Sequence, residues 1–205
     1  MLKSSKKILL CSGDSFTRGH AWFSGSSIKI NLKHVWPDVL AEKLNMKCVN
    51  LGRGNSNNEM IHNEIIDRLC HPKDIGLAIC MWSLFKRHEN EFTNVVKKSL
   101  RYFHSFQTYC EHNNVDYLQV QAYPPTNFLS KEFLDIPQFD FINSKTFLGW
   151  PIYEELGGYQ ISTKLLELDP DQTKLHIGNG DNHPNDKGHD WIADFLYEKY
   201  KEVYQ

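Results

Sequence analysis

Residues 7–15 read Lys7-Ile8-Leu9-Leu10-Cys11-Ser12-Gly13-Asp14-Ser15, a short apolar run that stops at a glycine. A run without polar alternation reads as a strand buried on both faces. Three further runs share the character: 46–51, ending in Gly52, then 75–82, and 116–122. Between them apolar residues recur at helical spacing. Val35, Trp36, Val39, Leu40 and Leu44 mark one stretch, and Ile61, Ile65, Ile66 and Leu69 a second. Val95, Leu100, Phe103 and Phe106 mark a third, and Trp191, Ile192, Phe195, Leu196 and Tyr200 close the chain. Strand and helix in alternation predict the α/β class: a three-layer α/β/α sandwich on a mostly parallel sheet of about five strands.

At 205 residues the chain suits one domain, 1–205, able to bury a full core without disulfides or metals. From about 123 to 180 the periodicity loosens. Prolines 124, 125, 137, 151 and 170 stand among Phe128, Phe133, Phe139, Phe141, Phe147, Trp150 and Tyr153, so this stretch reads as an aromatic-rich insertion of loops and short helices. A formal net charge of -2 gives no reason to expect nucleic acid. The five cysteines (11, 48, 70, 80 and 110) include no Cys-x-x-Cys pair and read as reduced, buried small hydrophobes. The basic start, Lys3 to Lys7, precedes too short an apolar run for a signal peptide, and nothing approaches the ~18 apolar residues of a membrane span. The expectation is a soluble chain, cytoplasmic as synthesised.

Parallel sheets of this kind form their sites outside the carboxyl ends of the strands. Three strand ends carry polar residues: Gly13-Asp14-Ser15, Gly52-Arg53-Gly54-Asn55-Ser56, and Trp82-Ser83. At the far end stands Asp181-Asn182-His183-Pro184. A carboxylate two residues before a histidine can reach its Nδ1–H and leave Nε2 for a nucleophile. A serine at a strand end lies near backbone N–H groups able to hold a developing oxyanion. His176, His183 and His189 are seven and six residues apart, which matches no familiar zinc pattern, so no metal is expected.

Together these segments resemble the SGNH/GDSL hydrolase superfamily, whose first block carries Gly-Asp-Ser and whose last carries Asp and His ahead of Pro. The blocks stand in family order from residue 8 to about 196. The resemblance implies a serine esterase with Ser15 as nucleophile, His183 as general base and Asp181 as its orienting carboxylate, without a cofactor. It implies an oxyanion hole from the N–H groups of Ser15 and Gly54, with Gly52 as the alternative glycine. Asp14, Asn55 and Arg87 are the positions expected to touch substrate. Two departures stand out. Block III usually reads Gly-x-Asn-Asp, but here the chain runs Met81-Trp82-Ser83-Leu84-Phe85-Lys86-Arg87-His88-Glu89, with no asparagine before Asn90. Ser83 is the positional substitute for the missing donor, Arg87 a charged one, and an Arg87–Glu89 surface pair is the plainer alternative. Trp-Ser followed by Arg and Glu is similar to the variant block III of bacteriophage-encoded SGNH proteins. The family's aspartate normally precedes the histidine by three residues, where this chain has Gly180.

Members of the superfamily act on lipids, thioesters and acetylated sugars. The aromatic insertion favours a small-molecule or polysaccharide ester, an O-acetylated carbohydrate first, because sugar rings stack on aromatic faces. A second reading keeps the fold as a catalytically silent binding or structural module, for example on a phage particle. Its argument is the altered block III. Oligomeric state and virion association are left open.

Overall fold

The computed structural model describes residues 7–22, 29–32, 34–87, 92–126, 131–178 and 181–205. In chain order the elements are β1 (Ile8–Gly13), α1 (Ser15–Arg18), β2 (His20–Trp22), β3 (Lys29–Asn31), α2 (Trp36–Lys43), β4 (Lys47–Asn50), α3 (Asn58–Leu69) and β5 (Ile75–Trp82). Then follow α4 (Phe92–His112), β6 (Tyr117–Gln121), α5 (Lys131–Leu134), β7 (Phe147–Leu148), α6 (Ile161–Leu168), β8 (His176–Gly178), β9 (Asp181–Pro184) and α7 (Asp186–Tyr204).

The apolar runs become a five-stranded sheet in the order β4-β1-β5-β6-β7. Every pairing within it is parallel. Alternation along the strands divides the core in two. Leu10, Ala78, Cys80 and Trp82 face α3 and α4, where Ile61, Ile65, Leu100, Phe103 and Phe106 meet them. Leu9, Cys11, Leu77, Ile79, Met81, Leu118 and Val120 face α2, α6 and α7 through Trp36, Leu40, Leu165, Ile192 and Leu196. Helices therefore cover both faces, which is the three-layer α/β/α arrangement. The runs lack polar alternation because neither face meets water.

The stretch from 123 to 180 holds more regular structure than its sequence suggests. It supplies the fifth strand, β7, which pairs with β6 through Gln119–Phe147 and Val120–Leu148. It also supplies α6. Its aromatics mostly continue the core: Phe133, Phe147 and Tyr153 are buried, and Phe139 and Trp150 pack on Phe133 at 5.2 and 5.7 Å between ring centres. Phe141 alone of the aromatics there is prominently exposed, while Phe128 lies outside the described residues.

All five cysteines are free. Cys11, Cys80 and Cys110 are buried, and burial pushes their thiols up. Cys70 departs from expectation: it caps the carboxyl end of α3, where the helix reaches the surface, and is exposed. Among the described residues no helix is long and apolar enough to cross a membrane.

Candidate active site

β1 ends at Gly13 and the chain turns at once into α1. Asp14 makes that turn, its Oδ1 accepting from the Phe16 N–H at 3.0 Å as an N-cap. Ser15 is thereby the first residue of a single helical turn, half-exposed above the carboxyl end of the sheet. From the other end of the chain, β9 pairs antiparallel with β8 and presents Asp181 and His183. The two segments meet. His183 Nε2 lies 2.8 Å from Ser15 Oγ, and His183 Nδ1 lies 2.6 Å from Asp181 Oδ1. A carboxylate has no proton to give, so Nδ1–H donates to Asp181 and the Nε2 lone pair accepts from Ser15. Asp181 Oδ1 also accepts from the His183 backbone N–H at 2.9 Å. Residues two apart in an extended strand share a side, which is how Asp181 reaches the imidazole across a two-residue spacing. Phe16, buried, lies against the imidazole with ring centres 5.5 Å apart.

Beneath Ser15 lies a buried polar group that includes Asp14, Ser83, Arg87 and Tyr123. Asp14 is fully buried and does not face substrate as expected. Its Oδ2 accepts from the Ser83 hydroxyl at 2.7 Å and pairs with Arg87 Nη2 at 3.3 Å. Burial pushes the Asp14 carboxyl up from its ordinary value, against the pull of Arg87, the Ser83 hydroxyl and the Phe16 N–H. Ser83 is equally enclosed. Its N–H donates to Asn58 Oδ1 at 2.8 Å and its carbonyl accepts from Gln121 Nε2 at 2.8 Å. With its hydroxyl committed to Asp14, Ser83 is directed into the protein and not at Ser15, which corrects its expected place in an oxyanion hole. Arg87 also turns inward, its side chain mostly buried; Glu89, its other expected partner, lies outside the described residues, as do Asn90 and Gly180.

Tyr123, just past β6, takes the position beside Ser15. Its hydroxyl lies 3.3 Å from Ser15 Oγ. Its ring meets Phe16 edge-on at 4.6 Å, and the Arg87 guanidinium lies 5.9 Å from the ring centre.

The loop after β4 is tied to α1. Asn50 Nδ2 donates to the Thr17 carbonyl at 2.8 Å, and its Oδ1 accepts from the Gly52 N–H at 2.9 Å. A Cβ on Gly52 would stand 2.8 Å from the Arg18 nitrogen, so the close approach itself requires glycine there. With its N–H given to Asn50, Gly52 is no longer the alternative donor. Gly54 is exposed, and among the described residues no atom beyond its own chain neighbours lies within 4 Å of where its Cβ would be. Asn55, also exposed, adopts φ 68°, a left-handed conformation that asparagine tolerates.

Two other histidines serve the frame. His176 Nδ1 bonds Asp169 Oδ2 at 2.8 Å, and the Asp169 carboxylate also accepts from the N–H groups of Thr173, Lys174 and Leu175. Burial pushes Asp169 up, but those donors together hold it well below the usual carboxylate range. His189 Nδ1 accepts from the Trp36 N–H at 3.3 Å. Sequence reasoning missed Tyr123 and Asn58, since one follows a strand without a motif and the other begins a helix like any polar residue. Gln119 and Gln121 did carry a signal: two amides on one side of an otherwise apolar strand imply a buried polar layer.

No family model matches the chain, and no curated protein matches it in sequence. Solved structures do match in fold. A lipolytic protein described as of the G-D-S-L family, from Desulfitobacterium hafniense DCB-2, superposes with a TM-score of 0.59 at 14% identity, over 94% of this chain and 99% of that one. The psychrotrophic esterase EstA from Pseudoalteromonas sp. gives 0.57 at 16%, over 96% and 97%. A carbohydrate acetylesterase family member from Sinorhizobium meliloti gives 0.54 at 13%, over 96% and 98%. The fold of this chain is that of the SGNH/GDSL hydrolases.

Proposed function

We propose that the protein is a serine ester hydrolase in which Ser15, His183 and Asp181 act as a triad. The observation that carries the reading is the unbroken contact from Ser15 Oγ to His183 Nε2 at 2.8 Å and from Nδ1 to Asp181 at 2.6 Å. Ser15 Oγ attacks the acyl carbon while its proton passes to Nε2, and the carbonyl electron pair moves onto oxygen. Collapse of the adduct expels the alkoxide, which takes the proton back from His183. Water repeats the sequence on the acyl-enzyme. Asp181 holds the imidazole in the accepting tautomer and favours the imidazolium formed in between. The N–H groups of Ser15 and Gly54 serve the oxyanion; in such sites one donor is worth roughly 10²–10³ in rate.

Most aromatic rings of the 123–180 stretch are consumed in packing, so they lend little support to a sugar. One structural neighbour belongs to a carbohydrate acetylesterase family, which makes O-acetylated carbohydrate the first ester to try.

The Pseudoalteromonas esterase is inhibited by monoethylphosphonate, and a phosphonate tests this chain too. A fluorophosphonate probe labels the wild-type protein, and Ser15→Ala abolishes the labelling. A folded wild-type protein that stays unlabelled would overturn the hydrolase reading and favour a silent binding module. Acetate release from acetylated polysaccharide, compared with turnover of short-chain lipid esters, then identifies the substrate.

A further inference from the structure

Resting on the hydrolase reading, we infer that the hydroxyl of Tyr123 is the third oxyanion donor, in place of the block III asparagine that this chain lacks.

Nδ1 of His183 gives its hydrogen to Asp181, so Nε2 accepts, and the Ser15 hydroxyl donates to it. Ser15 Oγ therefore accepts from Tyr123 across their 3.3 Å contact. The Arg87 guanidinium, itself a hydrogen-bond partner of the Tyr123 oxygen, can only donate, which leaves the phenolic hydrogen for Ser15. The hydrogen bonds thus run one way, from Arg87 through Tyr123, Ser15 and His183 to Asp181.

After attack, Oγ and the oxyanion are bonded to the same carbon. A donor already touching Oγ stands within reach of the oxyanion, and rotation of the phenolic O–H redirects it. As negative charge develops, the hydrogen bond strengthens without a proton being transferred, so the reaction's atom and proton balance is unchanged. The ring is held in place by its contacts with Phe16 and Arg87, so little reorganisation is needed.

Ser83 is buried with its hydroxyl on Asp14. Arg87 is engaged by Asp14 and by Tyr123 itself, and acts through the phenol. Burial, then the Asp14 charge, hold the phenol well above its ordinary pKa, so it stays protonated as a donor.

Tyr123→Phe tests the assignment and keeps the ring packing. With p-nitrophenyl acetate, kcat falls about 10²–10³-fold while KM changes little, and fluorophosphonate labelling slows by a similar factor. A thermal melt close to wild type accompanies the loss, because the phenyl ring still packs on Phe16. Wild-type kcat and labelling rate in Tyr123→Phe overturn the inference and leave the hydrolase reading standing. A rise in KM at unchanged kcat also overturns it, since that would mark a ground-state substrate contact. A wild-type protein that neither labels nor turns over sinks both.

Discussion

Asp181 divides its carboxylate unequally. Oδ1 accepts from two N–H groups of His183, ring and backbone, while Oδ2 is buried with no hydrogen-bond partner among the described residues. A buried carboxylate oxygen left unpaired is costly, so the residue's value lies in what it does to the imidazole. Asp181→Asn can offer Nδ1 an N–H in place of an acceptor, which favours the tautomer with the hydrogen on Nε2. That tautomer cannot take the Ser15 proton. In p-nitrophenyl acetate assays kcat drops about 10³–10⁴-fold, and a drop of less than tenfold would remove Asp181 from the triad. The pair Ser15 and His183 was legible because each sits in a motif of its own. The missing third donor was not. Tyr123 is 108 residues from Ser15 in sequence, and only the packing of β6 beside β5 brings it near.

The β8–β9 hairpin and the start of α7 hold Asp181 and His183 in place, and they do so with polar contacts. Asn185 caps α7 through the Gly188 N–H at 3.0 Å. Its Nδ2 also donates to the carbonyls of Lys174 and His176 at 3.0 and 2.8 Å, and so stitches helix to hairpin. Asn185→Ala removes the cap and both stitches, at a cost of about 2 kcal/mol or more. Urea titration measures the loss, and kcat falls with it because His183 lies two residues away. An unchanged midpoint would mean that the hairpin stands without this residue. At this scale the sequence was informative where burial is two-sided. β1, β4, β5 and β6, and the amphipathic α2, α3, α4 and α7, all follow from apolar pattern. β7 is two residues long, too short for any period to show. β9 reads Asp-Asn-His-Pro, a turn by composition, and is a strand only because β8 pairs with it. Whether the aromatic rings of the 123–180 stretch face core or solvent was not legible, because composition does not say which way a ring faces.

For the molecule as a whole, acid is the weak side. His189 is buried, and its pKa is lowered to about 3, by burial first and by the nearby His183 charge, against the pull of Asp186. Unfolded, the same imidazole binds a proton near pH ~6.5. Between those values the unfolded state holds more protons, so stability is full above about pH 6.5 and drains as pH falls toward 3, by on the order of 4 kcal/mol. Asp169 acts in the same sense. Its depressed pKa contributes stability above the ordinary carboxylate range that is lost as pH falls through it. Urea melts at pH 7, 5 and 4 should show the decline, and His189→Gln should flatten its upper part, whatever that substitution costs at pH 7. An equal slope in both proteins would place the acid sensitivity elsewhere.

The one exposed thiol has a practical use. Cys70 precedes β5 and so stands at the amino edge of a parallel sheet, whereas Ser15 follows β1 at the carboxyl edge. The thiols of Cys11, Cys48, Cys80 and Cys110 are at least half-buried and held protonated by burial. Maleimide chemistry at neutral pH is thus directed to Cys70. A tether fixed there would anchor the protein to a bead or sensor chip by its far end, with Ser15 turned toward the solution.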